Sequence, residues 1–268
     1  MARTLRIATW NINSLRLRLP LLSRLVADLD PDMICLQETK VPDALAPAAA
    51  LADLGYPHAE LRGMKGYNGV AIFSRIAIEL APQTPDWCLR GDCRHVATRL
   101  LAPSGPLTVH NFYVPAGGDL PDRAVNAKFA HKLDFIGETT AWFARHRPAR
   151  AVLVGDLNIA PLEHDVWSHR QLLGIVSHTP LEVALLQAWL AEGWVDAVRH
   201  FVPPEQRLYS WWSYRNRDWR LSDRGRRLDH LWITPDLLPA LRGHRILKDA
   251  RDWPRPSDHV PVCIELEV

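Results

Sequence analysis

The chain has 268 residues, 32 Lys plus Arg against 30 Asp plus Glu, with 47% hydrophobic and 23% charged residues. This is ordinary globular composition, which excludes a disulfide miniprotein, a disordered segment and a polycation that would attract nucleic acid by net charge alone. At this length a single core is near its practical limit of about 250–300 residues, so one large domain or two small ones both fit.

The first predicted element is a strand over Leu5–Ile12. Helix Leu17–Asp30 follows, with Leu21, Leu22, Leu25, Val26 and Leu29 at three- and four-residue steps. Met33–Leu36 is a short apolar run that reads as a buried strand ending at Gln37-Glu38, and Ala44–Leu54 reads as a helix. Val70–Ser74, Ile76–Leu80, Val96–Leu101 and Leu107–Val114 then succeed one another as in an antiparallel meander. Ala124–Arg147 carries Phe129, Leu133, Ile136 and Phe143 at helical intervals, Ala151–Val154 is a buried strand, and Pro180–Leu190 is a helix opened by proline. Strands are predicted at Leu208–Trp212, Leu228–Thr234, His244–Leu247 and Val260–Val268. No repeat, low-complexity tract or linker divides the chain. More strands than helices, with helices spread along the chain, suit two stacked sheets with helices outside, and so a single domain over 1–268.

Cys35, Cys88, Cys93 and Cys263 form no CxxC pair and read as buried reduced thiols. The chain enters a strand at once without an apolar leader, and no 18-residue apolar run occurs, so a cytoplasmic protein without a membrane span is expected.

Chemistry gathers where strands give way to loops. Such places are Trp10-Asn11-Ile12-Asn13, Leu36-Gln37-Glu38-Thr39-Lys40, Phe112-Tyr113-Val114-Pro115, Gly155-Asp156-Leu157-Asn158 and Ser257-Asp258-His259, while Arg227-Leu228-Asp229-His230 opens a strand. A lone charge at a strand end is ordinarily just solvated. Together, though, Glu38, Asp156 and Asp258 supply anionic oxygen and Asn11, Asn13 and Asn158 amide oxygen, a set suited to Mg²⁺ or Mn²⁺ rather than zinc. His259 with Asp229 as carboxylate partner forms a pair able to favour a protonated imidazole beside a phosphate. Phosphate loops of the GxxxxGK[ST] and GxGxxG types and the GxSxG elbow are absent, and Ala116-Gly117-Gly118 reads as a turn.

Of the 32 basic residues 27 are Arg, and Arg215, Arg217, Arg220, Arg224, Arg226 and Arg227 fall within thirteen residues against only Asp218 and Asp223, a local charge of +4. Tyr209-Ser210-Trp211-Trp212-Ser213-Tyr214 directly precedes them. Arginines interleaved with aromatics suit the phosphates and flat bases of nucleic acid.

These segments, in this order and over nearly the whole chain, resemble the exonuclease III family of apurinic/apyrimidinic (AP) endonucleases, within the wider endonuclease/exonuclease/phosphatase superfamily. Tyr67-Asn68-Gly69-Val70-Ala71 adds to the likeness. The resemblance implies an α/β fold, a four-layer α/β/β/α sandwich of two stacked, mostly antiparallel sheets with helices on the outer faces. It also implies an enzyme that hydrolyses phosphodiesters of double-stranded DNA with a divalent metal, 5′ to abasic sites and at 3′ ends; a monomer is expected. Carried over residue by residue, Glu38 holds Mg²⁺ (Mn²⁺ as the variant), with Asn11, Asp156, Asn158 and Asp258 around it. By this carry-over Asp156 orients and deprotonates water, Asn158 helps place it or steadies the developing phosphorane charge, His259 oriented by Asp229 meets the phosphate, and Tyr113 lies beside the phosphate or leaving oxygen. Trp211 and Leu228 wall the abasic-sugar pocket, while Lys128, Arg215, Arg217 and the rest of the Arg-rich stretch grip phosphates.

Asn13 stands where some relatives carry Asp, which implies one negative charge fewer at the metal, and Ala116 is smaller than the polar residue of some relatives. The same skeleton also serves phosphatases, sphingomyelinases and nonspecific nucleases. A catalytically silent nucleic-acid-binding relative is the further alternative, although such a protein is expected to have lost one of Glu38, Asp156, Asn158, Asp229 or His259, and all are present.

Overall fold

Alternation along the first strand decides how the layers stack. In β1 (Thr4–Asn11), Leu5 and Ile7 turn one way, Ala8 and Trp10 the other, and both faces are buried. Each face therefore needs its own partner. The computed structural model describes residues 3–81, 85–102, 105–216 and 218–268 and supplies both. Ala8 and Trp10 meet Leu21, Leu22 and Leu25 of α1 (Leu15–Leu29), whereas Leu5 and Ile7 meet a second sheet.

Next along the chain come β2 (Met33–Gln37), α2 (Ala48–Asp53), β3 (His58–Arg62), β4 (Val70–Ser74), β5 (Ile78–Leu80), β6 (His95–Ala102), β7 (Gly105–Tyr113), α3 (Ala127–His146) and β8 (Ala151–Asp156). They are followed by α4 (His169–Leu172), α5 (Pro180–Ala191), β9 (Val195–Asp196), β10 (Trp211–Trp212), α6 (Trp219–Ser222), β11 (Gly225–Arg226), β12 (Asp229–Ile233), β13 (Leu241–Ile246) and β14 (Val262–Glu267). One six-stranded sheet runs β13-β14-β1-β2-β4-β3, the other β5-β6-β7-β8-β12-β9, and β10 pairs with β11 alone. Pairing is antiparallel except for β1 with β2 and β7 with β8, the two places where a helix, α1 or α3, carries the chain across. α3 and α5 cover the outer face of the second sheet, packing Phe135, Ile136, Phe143, Leu186 and Trp189 against Phe112, Leu153 and Trp232. The four layers are thus α/β/β/α.

Several boundaries differ from expectation. The stretch 44–54 is not one helix: a 3-10 turn (Asp43–Leu45) stops at Ala46, whose extended ψ of 139° is what the following Pro47 imposes, and α2 begins afresh. The supposed meander is split between sheets, because β4 pairs with β2 and β3 while β5, β6 and β7 pair with one another. β3 was hidden by its half-buried, charge-containing sequence HAELR, and β9 by its two-residue length. The strand expected over 208–212 shrinks to β10. The helix expected from Ala124 starts at Ala127, where the Asn126 side chain accepts hydrogen bonds from the backbone N–H of Lys128 and Phe129. Cys35 and Cys263 are buried, but Cys88 and Cys93 are only half-buried; all four are free. Among the described residues no helix is long and apolar enough to cross a membrane.

Candidate active site

The rows of side chains facing the opposite sheet are apolar for most of their length and turn polar at one end. Leu5 and Ile7 lead to Asn11, Met33 and Cys35 to Gln37, Leu107 and Val109 to Asn111 and Tyr113, Val152 and Val154 to Asp156, and Ile233 and Leu231 to Asp229. Gln37 and Asn111 stitch the two sheets together there. Gln37 Nε2 donates to Asn111 Oδ1 at 2.7 Å, and Asn111 Nδ2 donates to the carbonyls of Leu36 (3.0 Å) and Ala71 (2.9 Å). Beyond this stitch lies the polar network.

Asn11 Nδ2 donates to Glu38 Oε1 and to Asp156 Oδ2, each at 2.9 Å, while its Oδ1 accepts from the backbone N–H of Asn13 at 3.1 Å. With its amide so turned, Asn11 holds two carboxylates together. The Tyr113 hydroxyl donates to Glu38 Oε1 at 2.9 Å. His259 Nδ1 lies 2.8 Å from Asp229 Oδ2, and its Nε2 lies 3.7 Å from Asp156 Oδ2. Asn158 Nδ2 donates to Asp156 Oδ2 (3.1 Å) and to Val114 O (2.9 Å), and its backbone N–H to Asp156 Oδ1 (3.0 Å). Both oxygens of Asp258 are engaged, Oδ2 by the Trp211 indole at 2.9 Å and Oδ1 by Asn13 Nδ2 at 3.2 Å. Tyr113, Asp156, Asn158, Asp229, His259, Asn11, Glu38 and Asp258 are therefore brought into one network.

The backbone at this end is unusual. Asn13 (φ 48°), Glu38 (φ 51°), Lys40 (φ 54°) and Asn158 (φ 54°) all occupy the left-handed region, which non-glycine residues rarely adopt and which clusters at functional sites. Gly155 explains why a glycine precedes Asp156. Its φ is 144°, and a Cβ there would lie 1.9 Å from the carbonyl oxygen of Phe112 on the neighbouring strand.

Electrostatics follow from burial. Burial opposes a charge on His259, yet the carboxylates of Asp229 and Asp156 outweigh it and hold the imidazolium far above the ordinary histidine range. Burial pushes the Asp156 carboxyl up, Asp229 adds repulsion, and His259 and Asn11 act against both. Burial would likewise raise Glu38 and Asp258, but the former is brought below its usual range by Lys40 and Asn11 and the latter by His259 and Trp211. Tyr113 is kept well above its usual value by burial and by the charges of Glu38 and Asp156, so its hydroxyl remains a donor.

The donor set suits a hard divalent cation. Four carboxylates (Glu38, Asp156, Asp229, Asp258) face two cationic groups, Lys40 and His259, leaving a formal excess of two negative charges. Asp229 Oδ1 is buried without a partner among the described residues, and ligand atoms of Asp156, Asp229 and His259 lie within 4.8 Å of one another, a cluster that could hold a metal only with the His259 ring neutral. The remaining carboxylate and amide oxygens match magnesium-type rather than zinc-type chemistry.

Next to the charged network stands an apolar wall. Leu228 is buried against Ala160, Val166 and Leu172, with Trp211 and Trp167 packed on the same cluster. Lys128 is exposed on the first turn of α3, beside Gly118. Arg215 is exposed, and Arg217 lies outside the described residues.

The Arg-rich stretch needs a correction as a uniform phosphate grip. Arg227 is buried and paired with Asp196 at 2.5 Å and Asp165 at 3.6 Å. Arg220 pairs with Asp249 and Asp252, and Arg226 donates to Val176 O and Ser177 Oγ. Arg224 covers Trp167. Their partners come from distant segments, so adjacency in the sequence overstated the free charge.

Sequence reasoning passed over other contributors. Lys40 Nζ bridges Glu38 Oε2 (2.8 Å) and Asn13 Oδ1 (2.6 Å). Ser257 and Ser210 each bind two chain segments: Ser257 Oγ donates to Asn11 O and accepts from His259 N–H, while Ser210 Oγ accepts from the N–H groups of Leu228 and Asp229. Arg18 donates to the carbonyls of Ile12, Asn13, Arg255 and Pro256 and to the Tyr214 hydroxyl. Lys40, Ser257 and Ser210 stood inside segments singled out in the sequence, as parts of Gln37-Glu38-Thr39-Lys40, Ser257-Asp258-His259 and Tyr209-Ser210-Trp211; Arg18 carried no local signal.

The model of the Endonuclease/Exonuclease/phosphatase family matches residues 8–259. Exodeoxyribonuclease III of Haemophilus influenzae is 30% identical, over 98% of this chain and 100% of that protein. Among solved structures, the 3′ phosphatase NExo from Neisseria bound to a product DNA hairpin is similar with TM-score 0.88 and 32% identity, covering 98% of this chain and 100% of that one. An AP endonuclease from Archaeoglobus fulgidus is similar with TM-score 0.88 and 30% identity, over 98% and 100% of the two chains.

Proposed function

The chain belongs to the Endonuclease/Exonuclease/phosphatase family, and from that premise we propose that it is a metal-dependent DNA repair nuclease, a single domain acting as a monomer on duplex DNA. Its substrates are the phosphodiester 5′ to an abasic site and nucleotides or blocking groups at 3′ ends. The observation that carries this reading is the placement of Asp156 3.7 Å from a charged His259, with Asp229 behind the histidine and Glu38 tied to Asp156 through Asn11.

Glu38 and Asp258, with Asp156 and the amides of Asn11 and Asn158 around them, are the residues that would hold Mg²⁺, with Mn²⁺ as the variant. When bound, such an ion polarises a phosphoryl oxygen and eases deprotonation of water. Asp156 is the acceptor for the water proton. Asn11 and Asn158, each donating to its Oδ2, fix where that acceptor stands. His259 donates from Nε2 toward a phosphate oxygen while Asp229 accepts from Nδ1, so a fixed positive charge faces the negative charge that grows as the phosphate expands. The neutral Tyr113 hydroxyl is a second donor to the phosphate or leaving oxygen. Trp211 and Leu228 offer an apolar wall for a sugar lacking its base, and Lys128, Arg215 and Arg217 meet flanking phosphates.

The test is incision of a duplex oligonucleotide carrying one central tetrahydrofuran, beside an undamaged duplex, with Mg²⁺ and with EDTA. Mg²⁺-dependent cutting at the analogue is expected, together with shortening from 3′ ends. Activity undiminished in EDTA refutes the metal assignment, and no cleavage of either duplex returns the reading to another phosphoester or to a silent binder.

A further inference from the structure

We propose that the buried Lys132–Glu182 ion pair is a positioning device for catalysis, fixing from behind the two loops that carry Tyr113 and Asn158 out of their strands. This deepens the nuclease reading and rests on it. Lys132 on α3 and Glu182 on α5 are both 0% exposed, and Nζ lies 2.5 Å from Glu182 Oε1. The same ammonium donates to the backbone carbonyls of Asn158 at 2.8 Å and of Ala116 at 3.3 Å. Three donors thus meet three acceptors, which is all that an ammonium can offer. Glu182 in turn accepts from the N–H groups of Ser177 and Thr179 and from the Thr179 hydroxyl. One pair therefore ties together the loops following Tyr113 and Asp156 and the loop before α5.

Two backbone facts make this arrangement specific. Asn158 sits at φ 54°, and among the described residues its carbonyl has no partner except Lys132, so loss of the ammonium leaves a buried acceptor unsatisfied at the residue whose amide holds Asp156. Gly117 has φ 90°, and a Cβ there would come within 2.9 Å of Lys132 Cδ and 3.0 Å of Val176 Cγ1. The turn after Tyr113 is thus shaped to let the lysine stem pass. Stability alone does not explain the pair, since desolvating two charges commonly outweighs their attraction and well-packed apolar replacements are often as stable. Lys132 reaches neither substrate nor the reacting atoms; it acts through Asn158 and Tyr113, where a displacement of about 1 Å suffices to cost on the order of 100-fold in rate.

The experiment compares the double variant Lys132→Met/Glu182→Leu with the unaltered chain on the tetrahydrofuran duplex, reading kcat and KM separately, with near-UV circular dichroism and Tm as controls. A folded double variant is expected to keep KM within about twofold and lose about 10- to 100-fold in kcat. A kcat within twofold of the unaltered chain, or a loss confined to KM, overturns the proposal. Should the double variant fail to fold, Glu182→Gln carries the test: kcat falls several-fold at constant KM if the pair positions the loops, and unchanged kcat overturns it. Asp156→Asn runs alongside. An unaltered chain inert on DNA would refute the nuclease reading itself, whereas an active chain whose pair variants match it refutes only the role of the pair.

Discussion

Along five of the same strands the face between the sheets has two regions of opposite character. Leu5, Ile7, Met33, Cys35, Leu107, Val109, Val152, Val154, Leu231 and Ile233 fill one with hydrocarbon, whereas Asn11, Gln37, Asn111, Tyr113, Asp156 and Asp229 fill the other with hydrogen-bonding groups. Element, register and burial are shared; only the position along the strand differs. The dry region supplies cohesion, and the polar region takes from it a frame stiff enough to hold charges away from water. Because those charges are buried, each interaction among them is stronger than it would be in solvent, and each is unfavourable to fold around. Substitutions in the two regions should therefore separate rate from stability.

The largest separation is expected from Asp156→Asn. Single-turnover incision should fall by about 10⁴-fold, while Tm holds or rises because a buried charge is lost; incision within tenfold of the unaltered chain would remove Asp156 from the chemistry. Asp229→Asn, which leaves the His259 ring without its anion, should lose about 10²- to 10³-fold in kcat with duplex binding intact. Leu231→Ala, two residues along β12 from Asp229, is the converse. Urea unfolding should show about 2–5 kcal/mol lost, with kcat of the folded fraction within about twofold.

The outer layer gives a smaller effect of distinct origin. His95, His110 and His230 are buried and held neutral, burial lowering His110 to about 4 and His230, with Arg227 adding to the effect, to about 3. Their unfolded forms take up protons at higher pH than the folded ones. The stability they contribute is complete above pH of about 6.5 and is lost as pH falls toward 4, by about 3 kcal/mol for His110. Because Asp156, whose carboxyl is raised by burial, acts in the opposite sense over the same range, the check is the urea midpoint of the unaltered chain against His110→Phe between pH 7 and 4, and a difference that does not change with pH would contradict it. Smallest is Arg215→Ala on the rim, which should reduce the slope of log K against log salt by about 1 and leave kcat unchanged.

Sequence pattern made the polar region legible because a strand's period of two aligns its end residue with its apolar row: Asp156 follows Val152 and Val154 as plainly in the sequence as in space. The pairing of Asp229 with His259 was legible for the same reason, each lying at a strand boundary. What stayed hidden was set by partners distant in the chain. Arg227 read as a surface cation because Asp165 and Asp196 lie far from it in sequence. Nothing in the sequence around Lys132 marks it as buried, and its position shows only when α5 brings Glu182 to it. The split of β4 from β5 to β7 was equally out of reach, since alternation tells which face is buried but not which sheet buries it.

The pairing of β1 with β14 joins opposite ends of the described chain, Thr4 opposite Glu267 and Thr9 opposite Val262. Asn11 closes the first of these strands, and Asp258 with His259 lies just before the second. Loop-closure entropy opposes so distant a pairing, and the burial gained along the whole strand offsets it. The same pairing seats Trp10 Nε1 on the carbonyl of His259 and brings the histidine to Asp156. Closure of the first sheet and assembly of the centre thus rest on one pairing, so that a change freeing β14 from β1 also takes His259 away from Asp156.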